Sequence, residues 1–102
     1  MFVIRRTLYC KVAQAGPALA LAREVIRLVQ EMDESVKAQR LYTDLSGRTD
    51  RIIIESETEQ FVHPREITAR VHAHPDAGRV FGQLGPLLER AETDFYVLEQ
   101  TA

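Results

Sequence analysis

The sequence predicts an α+β domain of the ferredoxin-like βαββαβ type: a four-stranded antiparallel sheet with its helices on one face. Three observations carry this. Apolar residues alternate singly near both ends and in the middle of the chain, which is the period of strands, and recur at three and four residues in between, which is the period of helices. One short turn-like stretch joins the two middle strands, so those pair as a hairpin. At 102 residues the chain is a single domain, 1–102, with room for one modest core.

The first strand is expected over 2–12. Phe2, Ile4, Leu8, Cys10 and Val12 fall on one side, with Arg6 the only charge among them, and Val3, Arg5, Thr7, Tyr9 and Lys11 fall on the other. Gly16-Pro17 then punctuates, with Pro17 suited to a first helical turn. Ala18, Leu21, Ala22, Val25, Leu28, Val29 and Met32 make one apolar stripe, so a helix is expected over 17–32, ending at Asp33-Glu34-Ser35. VKAQRLYTDL (36–45) and RIIIESE (51–57) read as strands flanking the turn SGRTD (46–50).

His63-Pro64 opens a second helix, expected over 64–73. Pro75 interrupts it, because proline removes a helix N–H and biases His74 away from the helical region. A third helix is expected over 76–90, opened by Asp76, kinked near Gly85, and packed onto the sheet through Val80, Phe81 and Leu84. A closing strand is expected over 94–100. With helices on one face only, a sheet face carrying Val3, Tyr9, Tyr42 and Ile53 is left bare. Two copies placed sheet to sheet would form a closed, barrel-like homodimer.

Composition narrows the partners. The 13 basic and 15 acidic residues are spread along the chain and leave a net charge of −2, so there is no footprint for nucleic acid and no polybasic membrane patch. The N-terminus alternates apolar and charged residues, unlike a signal peptide, and no apolar run is long enough to span a bilayer. The single cysteine, Cys10, excludes an internal disulfide and suits a reducing compartment; it is expected to be an inert core thiol. A cytoplasmic protein is the expectation.

LYTDLSGRTDRIIIESETE, followed by HPDAGRVFGQLGPLLERAETDFYVLE, resembles the dimeric α+β barrel superfamily, which includes NIPSNAP-like and antibiotic-biosynthesis-monooxygenase-like domains. The resemblance spans nearly the whole chain through its element order, and its best local marks are TDLSGRTDR (43–51) and the segment from Asp76 to Glu89. It implies a homodimeric barrel with varied chemistry: some members are cofactor-free oxygenases, some degrade haem. Haem-degrading members supply an axial histidine from the second helical region and surround the haem with an Asn and a Trp. His63, His72 or His74 could play the ligand here, but the chain contains neither Asn nor Trp. The cofactor-free oxygenases often use the same two residue types. Fold analogy does not choose among these activities, and whether the chain is an enzyme stays open.

Two candidate sites follow from the residues. All three histidines lie between positions 63 and 74. On a helix, His72 and His74 point about 200° apart and cannot share an ion, so no metal and no cofactor is expected. They read as helix-end residues, with His74→Ala costing under ~0.5 kcal/mol if that side chain is exposed. A place near the barrel mouth would make His72 a candidate base. The second constellation is the bare sheet face, where a register centred on the turn pairs Arg40 with Glu55 and Tyr42 with Ile53. Arg5, Tyr9, Arg40, Tyr42 and Glu55 would then line the barrel interior, with Tyr9 and Tyr42 as further catalytic candidates. Guanidinium and phenol groups there suit a small aromatic or anionic ligand; an Arg40–Glu55 ion pair with tyrosines cementing a dimer is the plainer alternative. No phosphate loop, zincin helix or GxSxG elbow is present.

Overall fold

The computed structural model describes residues 1–46 and 50–102. Its elements are β1 (Phe2–Cys10), α1 (Ala15–Met32), β2 (Val36–Thr43), β3 (Arg51–Thr58), α2 (Pro64–Val71), α3 (Ala77–Leu84), a 3-10 turn (Gly85–Leu87) and β4 (Leu88–Val97). The strands form one antiparallel sheet in the order β2-β3-β1-β4. This is the ferredoxin-like arrangement. The molecule measures 36 × 35 × 17 Å, a slab two layers thick. No helix among the described residues is long and apolar enough to cross a membrane.

Alternation in β1 and β3 builds the larger part of the core. Leu8, Cys10, Ile52 and Ile54 point to the helix layer, where Ala18, Leu21 and Ala22 of α1 and Leu84 of α3 cover them. A second cluster joins the helices to one another: Leu28 and Val29 of α1 meet Val71, Ala77 and Val80. Val80 therefore packs between helices and not onto the sheet, and Phe81 is only partly buried beside it. Cys10 is buried as expected, and burial pushes its thiol pKa up, away from reactivity.

Several boundaries differ from the expected ones. The first helix begins at Ala15, so Pro17 lies inside its first turn, where the missing N–H has no intrahelical partner to lose. β1 ends at Cys10, and the chain turns through Ala13, which adopts a left-handed backbone with φ of 63°. β2 stops at Thr43. Residues 47–49 of the expected turn lie outside the described residues. Asp44 organises the near side of that turn: its carboxylate accepts from the Ser46 backbone N–H at 2.7 Å and from Arg51 Nε at 2.8 Å.

The largest departure is at the C-terminal end. Residues 88–90 were expected in a helix, yet α3 stops at Leu84 and Leu88 already pairs with Cys10 in β4. Pro86 cannot extend the hydrogen-bond ladder, and the Leu87 carbonyl is taken by the Lys11 N–H at 2.8 Å. Glu89, Arg90 and Glu92 suit helices intrinsically, but pairing along β1 overrides that preference.

Candidate functional site

One face of the sheet carries no helix. Reading across β2, β3, β1 and β4, the register places Arg40, Glu55, Arg5 and Asp94 in one row. Charge alternates along it. The neighbouring row is Tyr42, Ile53, Thr7 and Glu92, and the next is Arg51, Tyr9 and Arg90. On the other side, Glu57 stands beside Val3 and Val3 beside Tyr96. All three tyrosines of the chain thus share this face. The pairings Arg40–Glu55 and Tyr42–Ile53 are those the sequence predicts.

The side chains refine the picture. Glu55, nearly buried, is held by Arg5, whose Nη2 and Nε donate to Oε2 at 2.9 and 3.1 Å. Arg40 reaches Glu55 only at 3.9 Å, and its close partner is Glu57, at 2.7 Å. The hydrogen bond to Glu55 raises the Arg5 guanidinium further above its ordinary pKa. Tyr9 is nearly buried as well: the Arg90 guanidinium lies 4.0 Å from its ring centroid, and its hydroxyl donates to Glu92 Oε2 at 3.3 Å. Tyr42 stays exposed and borders an open groove of about 540 Å³ with Arg5, Arg51 and Ile53.

The histidines are elsewhere, on the helix layer. His72 caps the C-terminal end of α2, and its ring stacks on Phe81 at 4.8 Å, so it is not brought together with Tyr9 or Tyr42. His74 has both ring nitrogens engaged: Nε2 is 2.5 Å from Glu31 Oε2, and Nδ1 accepts from the Asp76 N–H at 3.0 Å. His63 is the N-cap of α2, with Nδ1 accepting from the Arg65 N–H at 3.1 Å. Asp76 stands before α3 as expected, but its carboxylate makes no cap and is instead bonded by Arg27 at 3.1 Å. Among the described residues, no three His, Cys, Asp or Glu side chains converge as a metal site requires.

A different set of side chains escaped the sequence reading. Arg6, on the helix-facing side of β1, borders three cavities between the sheet and the helices, and Gln39, Ser56 and Thr68 line one of them with it. The available signal was Arg6 itself, the lone charge on an apolar strand face.

Fold and face together define a class: small α+β domains with a ferredoxin-like sheet covered on one side only. Among solved structures the chain is similar to a NIPSNAP domain protein from Burkholderia xenovorans, with a TM-score of 0.79 and 17% identity over 100% of this chain and 98% of that one. It is similar to a NIPSNAP family protein from Agrobacterium tumefaciens, with a TM-score of 0.80 and 14% identity over 99% and 88% of the two chains. A variant of SnoaB, a cofactor-independent oxygenase from Streptomyces nogalater, gives a TM-score of 0.71 at 10% identity over 98% and 94%. The fold is therefore that of the NIPSNAP-like and antibiotic-biosynthesis-monooxygenase-like barrel domains. No protein-family model and no curated protein matches the chain.

Proposed function

We propose that the chain works as a homodimer closed through its bare sheet face, enclosing a chamber for a small aromatic ligand in the manner of a NIPSNAP-like or monooxygenase-like domain. The observation that carries this reading is the row Arg40, Glu55, Arg5, Asp94. A two-fold axis parallel to the strands lays the row on its own copy in reverse order, so that each cation meets an anion. The face is self-complementary in charge, and exposed Tyr42 and Tyr96 supply apolar area beside it. Because Arg5 and Arg40 are already held by glutamates, phenol rings rather than guanidinium groups are the free recognition elements. That favours an uncharged aromatic ligand, such as a phenol or quinol, over an anion.

Sedimentation velocity at micromolar concentration tests the assembly. A dimer is expected, and R5E is expected to shift it toward monomer by placing like charges together within and across the sheets. A wild-type monomer would overturn the reading. Titration with phenols and quinols, and separately with haemin, then tests the chamber. Saturable phenol binding weakened by Tyr42→Ala supports it, whereas a haemin Soret shift abolished by His63→Ala would favour haem binding in its place.

A further inference from the structure

The two outer strands of the bare face match one another position by position. Row by row, the β2 and β4 members are Ala38 and Tyr96, Arg40 and Asp94, and Tyr42 and Glu92. Asp44, bonded by Arg51 at 2.8 Å, extends the series at the β2 border of the row that ends in Arg90. Each pair sets a small side chain with a large one, a cation with an anion, or a hydroxyl with a carboxylate. Within one chain the two members of a pair stand on opposite borders of the sheet, roughly 14 Å apart at three strand spacings. Among the described residues Asp94 makes no ion pair of its own. The match is therefore one that two chains can use and one chain cannot.

Symmetry decides how two chains use it. A two-fold axis parallel to the strands turns β2 of one copy onto β4 of the other and satisfies all four pairs. An axis across the strands fails wherever at least three of the rows stay covered. Through the Arg40 row it stacks Arg40 on Arg40 and Asp94 on Asp94; through the Tyr42 row it stacks Glu92 on Glu92. Between those rows it sets Asp94 against Glu92. Like charges directly opposed are destabilising.

Glu92 is placed to act on a neighbour. The Tyr9 hydroxyl and Arg90 Nε, each at 3.3 Å, hold its carboxylate on the bare face, and its side chain is 53% exposed. The groove beside Tyr42 has the opposite character. Its floor is Ile53, and its lining carboxylate, Asp44, is already taken up by Ser46 and Arg51.

We infer that each groove is completed by the other chain: Glu92 of the partner subunit stands over Tyr42 and accepts the hydroxyl of a bound phenol. The partner's Asp94 meets Arg40 on one side of Tyr42, and the partner's Arg90 meets Asp44 on the other. This rests on the dimer proposed above and adds what each chain gives to the site of its neighbour. The ligand ring lies on Ile53 and Tyr42 of one chain, with its hydroxyl turned toward the carboxylate of the other. A carboxylate accepts that proton in a charge-assisted bond. A methyl ether has no proton to give and leaves the desolvated charge unpaired.

Mixed dimers separate this arrangement from one in which each chain builds its own site. Y42A and E92Q chains carrying different affinity tags are co-expressed, and mixed dimers are purified through both tags. In a shared groove, one site of the mixed dimer holds both substitutions and the other holds neither. Calorimetry with hydroquinone is expected to find one site per mixed dimer at wild-type affinity. The Y42A and E92Q homodimers should each bind at least about ten-fold more weakly, with unchanged melting temperatures. Hydroquinone dimethyl ether should bind the wild type about ten-fold more weakly than hydroquinone, and the two should bind E92Q alike. Two weakened sites in the mixed dimer, or a wild-type dimer that ignores hydroquinone at millimolar concentration, would overturn the inference and leave the dimer standing. A second measurement needs no ligand. A short bismaleimide is expected to join Y42C/E92C chains in pairs and to leave Y42C and E92C chains single, since Cys10 is buried. Joining of E92C chains to each other would overturn the arrangement, whereas a monomeric wild type would remove the dimer and this inference together.

Discussion

Asp33, at the C-terminal end of α1, accepts a hydrogen bond of 3.0 Å from Nη1 of Arg70 in the last turn of α2. The carboxylate also accepts from the Ser35 backbone N–H at 2.9 Å and the Ser35 hydroxyl at 2.6 Å. Burial works against the charge on Asp33, but the bonds from Ser35 and Arg70 outweigh it and hold its pKa below the ordinary value. This one buried acid therefore fixes both the exit of α1 and the position of α2.

Replacing it should be costly. D33A is expected to lose about 2 kcal/mol, because the Ser35 amide and hydroxyl lose their acceptor in a partly buried place. R70A should cost less, about 0.5–1 kcal/mol, since its guanidinium is half exposed and screened by water. Urea denaturation of the two variants checks both the size and the order of the effects.

His74 is more than a helix-end residue. Its side chain is only 13% exposed and bridges Glu31 of α1 to the Asp76 amide. The condition for a negligible His74→Ala effect is therefore not met, and a loss of about 1–2 kcal/mol is expected. Bonding at Nδ1 by a backbone N–H also requires the proton to sit on Nε2. The nitrogen-15 shifts of the imidazole should report that tautomer.

Asp44 should govern the acid response of the hairpin. Hydrogen bonds from the Ser46 hydroxyl and amide, then from Arg51, lower its pKa to about 2. Because the folded value lies below the unfolded one, its contribution is complete above pH 4, and it is lost as pH falls toward 2. A carboxyl-carbon NMR titration should place the Asp44 midpoint at about 2, well below the ordinary carboxylate range. D44N should flatten the acid limb of the stability profile.

Ala13 is the clearest site for a gain. A left-handed backbone costs an alanine about 1–2 kcal/mol, and glycine avoids that strain at an entropic cost of up to about 1 kcal/mol. A13G is thus expected to stabilise by roughly 0.5 kcal/mol, seen as a higher urea midpoint with an unchanged slope.

The sheet was legible from sequence because alternation and a single turn leave little freedom. Once Arg40 is opposite Glu55, the faces of Ala38 to Thr43 and of their partners in β3 are assigned; the register shifts only between Val36 and Ala38. The end of α3 was not legible, since LERAE carries helix propensity and its strand conformation comes from β1, far away in sequence. Arg40 shows a second limit. Register fixed its neighbour, but a long side chain chose the diagonal partner Glu57. His63 as an N-cap was hidden because histidine lacks the usual capping signature. The paired residues of the bare face could be named from their spacing. The cavities beside Arg6 could not, because their walls come from strands and helices spread along the whole chain.

The two outer strands bear on what this molecule does at high concentration. β2 and β4 each expose one line of unpaired backbone amides and carbonyls, the feature by which sheets recruit further strands. Here both borders are guarded. β4 carries Glu89, Arg90, Glu92 and Asp94 in succession, and β2 carries Lys37 and Arg40. A strand arriving sideways would have to strip water from these charges before forming its first bond. Lateral growth into fibres is thereby discouraged at both margins, which leaves the flat side of the slab, the face proposed above for the dimer, as the open surface.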